Sequence, residues 1–288
     1  MFTEKTFDTG KIKLNYAEGP ASGPPLLFLH GLSSCWQGFL PMLPHLVLRH
    51  HVYALDFRGH GSSGQAPSYT LSDYADDALL FLQQQVREPA ALVGYSLGGM
   101  VSMVMEAQYP GLAKALVTGD SAFTVESARS IYPIFLLLQK YARMQASVWE
   151  IADGLATETS TLPGVDQPLR LDQIIEPSFL RFCARCLIQD DPEIFTQIID
   201  AFEGRADLRA EGYEAEKLLP KIKCPVLLLQ ADPALGGLVT DEDVAMAMRL
   251  LPRAIHAKFP GLGHSLGLDT WQVGPVVRSV SDFLEMAR

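Results

Sequence analysis

Short apolar runs alternate along this chain with longer stretches in which apolar residues return every three or four positions. The runs "PLLFLHG" (25–31), "HVYALDFRG" (51–59), "AALVGYS" (90–96), "KALVTGD" (114–120), "CPVLLLQAD" (224–232) and "IHAKFPG" (255–261) are too short for helices. Most are uninterrupted Val, Leu and Ala, which predicts strands covered on both faces. Between them lie helical patterns: "SCWQGFLPMLPHLV", "TLSDYADDALLFLQQQ", "LGGMVSMVMEAQYP", "DEDVAMAMRLLP" and "VGPVVRSVSDFLEMAR". The second opens on Thr70 or Ser72 as a cap and sets Leu71, Tyr74, Ala78, Leu79 and Leu82 on one stripe. Strand, helix, strand, repeated, predicts an α/β fold with a mainly parallel central sheet flanked by helices. The early "TFDTGKIKLNYAEG" predicts a hairpin that extends this sheet antiparallel at one edge.

The alternation stops after Asp120 and resumes at Cys224. Between them "ESARSIYPIFLLLQKYARMQASVWEIADGL" and "PSFLRFCARCLIQDDPEIFTQIIDAFEG" carry helical periodicity, joined by the polar link "ATETSTLPGVDQP". Residues 1–122 and 216–288 therefore read as one core domain interrupted by a helical subdomain over 123–215. Because the insertion leaves after one strand and returns at the next, it is expected over the carboxyl edge of the sheet, where open α/β sheets bind ligands.

Composition narrows the function. With 288 residues, 48% of them hydrophobic and 19% charged, the chain has a globular profile and enough length for a large core. A formal net charge of −10 with no cluster of Lys and Arg excludes a phosphate-backbone partner, so nucleic acid is not expected. "MFTEKTFDTGKIKLNY" lacks the apolar core of a secretory signal, so a cytoplasmic location is expected. "IYPIFLLLQKYARM" is broken by Pro133 and ends in charge, short of the roughly 20 residues of a membrane span, so stable membrane insertion is not expected. Cys183 and Cys186 form a C-x-x-C inside a helical pattern with no second ligand pair, which reads as packing rather than zinc or redox chemistry. Cys35 and Cys224 lie beside core segments.

The chemistry gathers at "LVGYSLGGM" (92–100). Gly94-Tyr95-Ser96-Leu97-Gly98 is G-x-S-x-G between a strand and a helix, a nucleophile elbow that holds serine in a strained turn and aims its hydroxyl outward. Side chains at 94 and 98 would collide there. Serine needs a base within hydrogen-bond reach. His264, in the glycine-rich "FPGLGHSLGL" past the final strand, follows Ser96 in the required chain order. An oxyanion hole calls for two backbone N–H groups, for which Leu97 and, from "HGLSS", Leu32 are the candidates.

These motifs resemble those of the α/β-hydrolase superfamily. "FLHGLSSCW", "ALDFRGHGSSG", "LVGYSLGGM", "PVLLLQADP" and "GLGHS" stand in the family's order and spacing, over nearly the whole chain. The resemblance implies that the insertion is a helical cap, and that Asp56, Arg58 and His60 shape a turn beside the active site, with His30 structural in its own loop. The third triad member departs from the pattern: the position where the acid is expected after "CPVLLLQ" is Ala234, and the carboxylate in that loop is Asp232. Some members carry the acid after the preceding strand, where "LVTGDSAF" offers Asp120. Asp232 is the preferred acid and Asp120 its rival; Asp241 and Asp243 read as caps of the next helix.

A serine at the elbow, in place of a carboxylate, disfavours halide and epoxide chemistry and points to acyl transfer to water. Tyr95, Trp36, Tyr132, Phe135 and Trp149, with Ile134, Leu136 and Met144, are the expected apolar pocket residues for a small or medium ester, lactone or thioester. No metal or cofactor is implied. The resemblance also admits carbon–carbon bond hydrolase, aminopeptidase and cofactor-free perhydrolase activities. A displaced acid leaves open a different class, a small-molecule receptor with slow or no turnover. Oligomeric state is not legible in the sequence.

Overall fold

A computed structural model describes residues 2–124, 131–161, 167–205 and 213–287. Its main sheet has eight strands: β1 (Thr3–Asp8), β2 (Lys13–Glu18), β3 (Pro25–Leu29), β4 (His51–Leu55), β5 (Ala90–Tyr95), β6 (Ala113–Gly119), β7 (Val226–Gln230) and β8 (Ala254–Lys258). They lie in the order β1-β2-β4-β3-β5-β6-β7-β8. The hairpin β1–β2 is antiparallel and joins β4 antiparallel, and every pairing from β4 to β8 is parallel.

The unbroken apolar runs are explained by cover on both sides. Along β3, Leu27 and Leu29 enter one core and Leu26 and Phe28 the other; along β7, Val226 and Leu228 oppose Leu227 and Leu229 in the same way. The first core is closed by α1 (Leu71–Phe81) and α2 (Leu97–Gln108) through Leu71, Tyr74, Ala78 and Val101. Thr70 caps α1: its side chain accepts from the Asp73 N–H, while the Asp73 carboxylate accepts from the Thr70 N–H, the reciprocal box that satisfies two end amides. "SCWQGFLPMLPHLV" does not form one helix. It splits into single turns at Trp36–Phe39 and Leu43–Leu46, because Pro41 and Pro44 lack the N–H that a helix interior needs.

The insertion between β6 and β7 holds α3 (Tyr132–Ala142), α4 (Val148–Thr157), α5 (Pro177–Gln189) and α6 (Glu193–Phe202). The helical periodicity expected in each of the two stretches is thus divided between separate helices. Ser147 begins α4 with a capping box to Glu150, and the break between α5 and α6 falls at Asp190–Pro192. Phe135, Ile151, Leu155, Leu180, Leu187 and Phe195 form a core of their own among these helices. Thr159–Ser160 of the polar link pairs with Leu169–Arg170 just beyond it as a two-strand ribbon; residues 162–166 of the link, and 125–130 at the start of the insertion, lie outside the described residues. The chain then returns through β7, α7 (Asp241–Leu250), β8 and α8 (Gly274–Met286), whose Val276, Val280 and Phe283 close the second core. Thr240 and Asp243 cap α7. No helix among the described residues is long and apolar enough to cross a membrane. Cys183 and Cys186 share α5, and the Cys186 sulfur lies 3.7 Å from that of Cys35.

Candidate active site

The carboxyl ends of β5, β6 and β8 bring three side chains to one point. Ser96 sits between β5 and α2 with φ at 51°, a left-handed conformation that a non-glycine residue adopts only under constraint. The constraint is local crowding. A Cβ at Gly94 would strike the Gly98 carbonyl and the Gly99 N, and one at Gly98 would strike the Leu29 carbonyl of β3. The Ser96 N–H donates to the Gly119 carbonyl at 2.8 Å, tying the turn to the end of β6. In the first turn of α2 the Gly99 and Met100 amides bond the Ser96 carbonyl, whereas Leu97 holds the first helical position, whose N–H has no intrahelical acceptor.

His264, six residues beyond β8, lies with Nε2 at 3.2 Å from the Ser96 Oγ and Nδ1 at 2.6 Å from the Asp120 Oδ2. Asp120 is fully buried just past β6, with φ at 43°. Its Oδ2 also accepts from the Leu238 N–H (2.8 Å), and its Oδ1 from the Val239 (3.2 Å) and Ala231 (3.3 Å) N–H groups. Both Asp120 oxygens act as acceptors toward these amides, so the imidazole donates from Nδ1, and a neutral ring in that tautomer presents the Nε2 lone pair to the serine. The neutral ring can then take the Ser96 proton.

Asp232 does not face His264, which corrects the preference for it as the acid. Beyond β7 the backbone folds into the turn Pro233–Leu235, and the Asp232 carboxylate caps it, accepting from Ala234 N–H at 3.0 Å and from Gly261 N–H at 2.9 Å. Those two amides hold its pKa below the ordinary carboxylate value. Its role is to clasp the loop that carries His264: its own N–H also donates to the Leu262 carbonyl at 2.7 Å.

The neighbouring motif residues are committed to the scaffold. His30 accepts from the Phe57 N–H at its Nε2 (3.0 Å), which leaves Nδ1–H to donate to the Gly31 carbonyl (2.7 Å). Burial holds the ring neutral, with its pKa well below the ordinary value. Arg58 grips Asp77 through two hydrogen bonds of 2.7 and 2.8 Å. Asp56 accepts from the Trp36 N–H and from Asn15, and burial still pushes its pKa up to about 6. Burial drives His60 the other way, down to about 4.

Ser96, Leu32 and Leu97 open onto a cavity of about 180 Å³. Phe135 from α3 and Ile198 and Phe202 from α6 form its outer wall; Tyr69, Tyr74 and Met100 form its inner wall, and Tyr213 and Leu238 stand beside them. Larger hollows of about 610 and 660 Å³ lie elsewhere and touch neither Ser96, His264 nor Asp120. Of the eight expected pocket residues, seven are not in this wall. Trp36 is buried in the second core against Phe2, and Tyr95 lies against the His264 ring, 5.1 Å between centroids. Tyr132 turns its hydroxyl to Glu203, and Trp149 is 66% exposed with Arg181 over its ring. Ile134, Leu136 and Met144 are also exposed. Leu71 and Tyr74 carried a usable sequence signal among the missed residues, their place on the α1 stripe. Tyr69, Met100, Phe202 and Tyr213 carried none, because folding alone brings them to Ser96.

A sequence model of the alpha/beta hydrolase family matches residues 26–273. A 2-(acetamidomethylene)succinate hydrolase of Mesorhizobium japonicum is 38% identical over 127 residues, 44% of this chain and 45% of that protein, so the match spans less than half of that curated relative. An sn-1-specific diacylglycerol lipase of Xenopus tropicalis is 24% identical over 99% of this chain and 86% of its own. Among solved structures, an E-2-(acetamidomethylene)succinate hydrolase superposes with a TM-score of 0.77 at 24% identity, covering 99% of this chain and 100% of the other. At that identity the likeness is one of fold.

Proposed function

Because the chain belongs to the alpha/beta hydrolase family, we propose that it is a serine hydrolase acting on carboxylic esters or closely related acyl bonds through Ser96, His264 and Asp120. The observation that carries this reading is the unbroken hydrogen-bond path from the Ser96 Oγ through both nitrogens of His264 to the buried Asp120. In the first half-reaction the Ser96 proton passes to His264 Nε2 as Oγ attacks the carbonyl carbon. The N–H groups of Leu97 and Leu32 receive the oxyanion, and Asp120 stabilises the imidazolium. His264 then protonates the leaving alcohol, and the acyl group stays on Ser96. Water, deprotonated by His264, repeats the addition, and His264 returns that proton to the Ser96 Oγ as the acid is freed.

The helices from residue 123 to 215 act in this reading as a cap over the site, supported by the contribution of Phe135, Ile198 and Phe202 to the cavity wall. The cleaved substrate is small to medium and apolar around its carbonyl. A receptor without turnover was favoured by a displaced acid; Asp120 against His264 removes that motive. The test is turnover of short p-nitrophenyl esters by the wild type and by Ser96→Ala. Serine chemistry predicts a loss of at least about ten-thousand-fold in kcat with folding intact. Turnover by Ser96→Ala near the wild-type rate would overturn the proposal.

A further inference from the structure

Among the described residues, the wall of the cavity beside Ser96 offers little polar chemistry. No Lys, Arg, His, Asp or Glu lies in its wall among the described residues. Its polar heads are also spent on the protein. Tyr69 donates to Asp191 and accepts from the Ala66 N–H, and Tyr213 donates to the Ala122 carbonyl. Gln197 accepts from the Tyr69 N–H and donates to the Pro67 carbonyl. Thr124 also stands in the wall and is not without a partner; among the described wall residues, Tyr74 is buried with a hydroxyl that has no hydrogen-bond partner. Size sets a second limit. A dry apolar cavity of about 150 Å³ holds one benzene ring, and this one measures about 180 Å³. Five aromatic rings, those of Tyr69, Tyr74, Phe135, Phe202 and Tyr213, face such a guest.

We propose that the group bound in this cavity is uncharged and about the size of a phenyl ring, an arylacyl group or a straight acyl chain of about six carbons, and that a second carboxylate on it is rejected. This deepens the serine-hydrolase reading and rests on it. One neutral phenol cannot return what a carboxylate loses when it is stripped of water, so the charge decides the outcome. Methylenes help only while they are buried: each adds up to about fourfold to kcat/KM until the cavity is full.

The experiment measures kcat/KM for p-nitrophenyl acetate, butyrate, pentanoate, hexanoate, decanoate, phenylacetate and hemisuccinate, with Ser96→Ala in parallel. The expected profile rises to hexanoate and phenylacetate and gains nothing further at decanoate. Hemisuccinate falls about a hundredfold or more below pentanoate, its neutral counterpart in length. Phe135→Ala, by removing part of the outer wall, moves the break to longer chains. A continued rise through decanoate, or a smaller penalty for hemisuccinate, would overturn the proposal while serine-dependent turnover left the reading beneath it standing. Equal turnover by Ser96→Ala would bring down that reading instead.

Discussion

Two acidic loops leave neighbouring strands at the same edge of the sheet, and only one reaches the histidine. After β6, Asp120 adopts a left-handed φ of 43°, buries its carboxylate completely and gathers three amide N–H groups and the His264 Nδ1–H. After β7, Asp232 keeps an ordinary φ of −77° and spends both oxygens on turn amides. The difference is one of aim. Ser96, with φ at 51°, and Asp120 both carry backbone strain where a side chain must point in a fixed direction, whereas a turn cap follows from the chain's own path. The carboxylate that partners His264 is therefore identified by what holds it, not by its place in a motif.

The largest effect that sharpens this contrast is expected for Asp120→Asn. The amide removes the charge that orients and stabilises the imidazolium, and kcat should fall by about a thousand- to ten-thousand-fold with little change in KM; steady-state kinetics on a p-nitrophenyl ester measures it. Asp120→Ala should add a structural penalty. The amides of Leu238, Val239 and Ala231 lose their buried acceptor, and urea unfolding should record a loss of about 3 kcal/mol or more.

Asp232→Asn should do little to the chemistry, leaving kcat within about threefold of wild type, since Asp232 touches neither Ser96 nor His264. Its effect should appear in stability and depend on pH. The Gly261 and Ala234 amides lower the folded pKa of Asp232 below its ordinary 3.8. Its contribution is thus present above that value and lost as pH falls through the lower, folded one. The deficit of Asp232→Asn in urea midpoint should be constant between about pH 5 and 8 and shrink below about pH 4. Smallest of all, Trp149→Ala should leave kcat/KM within about twofold, because the ring stands in solvent away from the cavity wall.

The strands, the edge hairpin, the elbow and the histidine loop were legible because each depends on local chemistry: apolar run length, glycine where a Cβ cannot fit, and a cap before a stripe. The structure brings the His264 Nε2 to 3.2 Å from the Ser96 Oγ, and their catalytic roles are part of the proposal. The acid was not legible, since nothing in "LVTGDSAF" or "LLLQADP" records that Leu238 and Val239 fold back to cradle the first aspartate. The pocket failed for a related reason. Tyr132 and Trp149 look alike in an apolar helical segment, but which face of α3 or α4 turns inward depends on packing against α5 and α6, so Phe135 enters the wall and its neighbours do not.

The His264 Nδ1 proton reports most directly on which aspartate holds the ring. Proton NMR of ¹⁵N-histidine-labelled protein, with the resonance assigned by its loss in His264→Gln, should find a far-downfield signal in the wild type that persists in Asp232→Asn and disappears or moves upfield in Asp120→Asn. A signal kept in Asp120→Asn and lost in Asp232→Asn would contradict the pairing of His264 with Asp120, and the proposed triad with it.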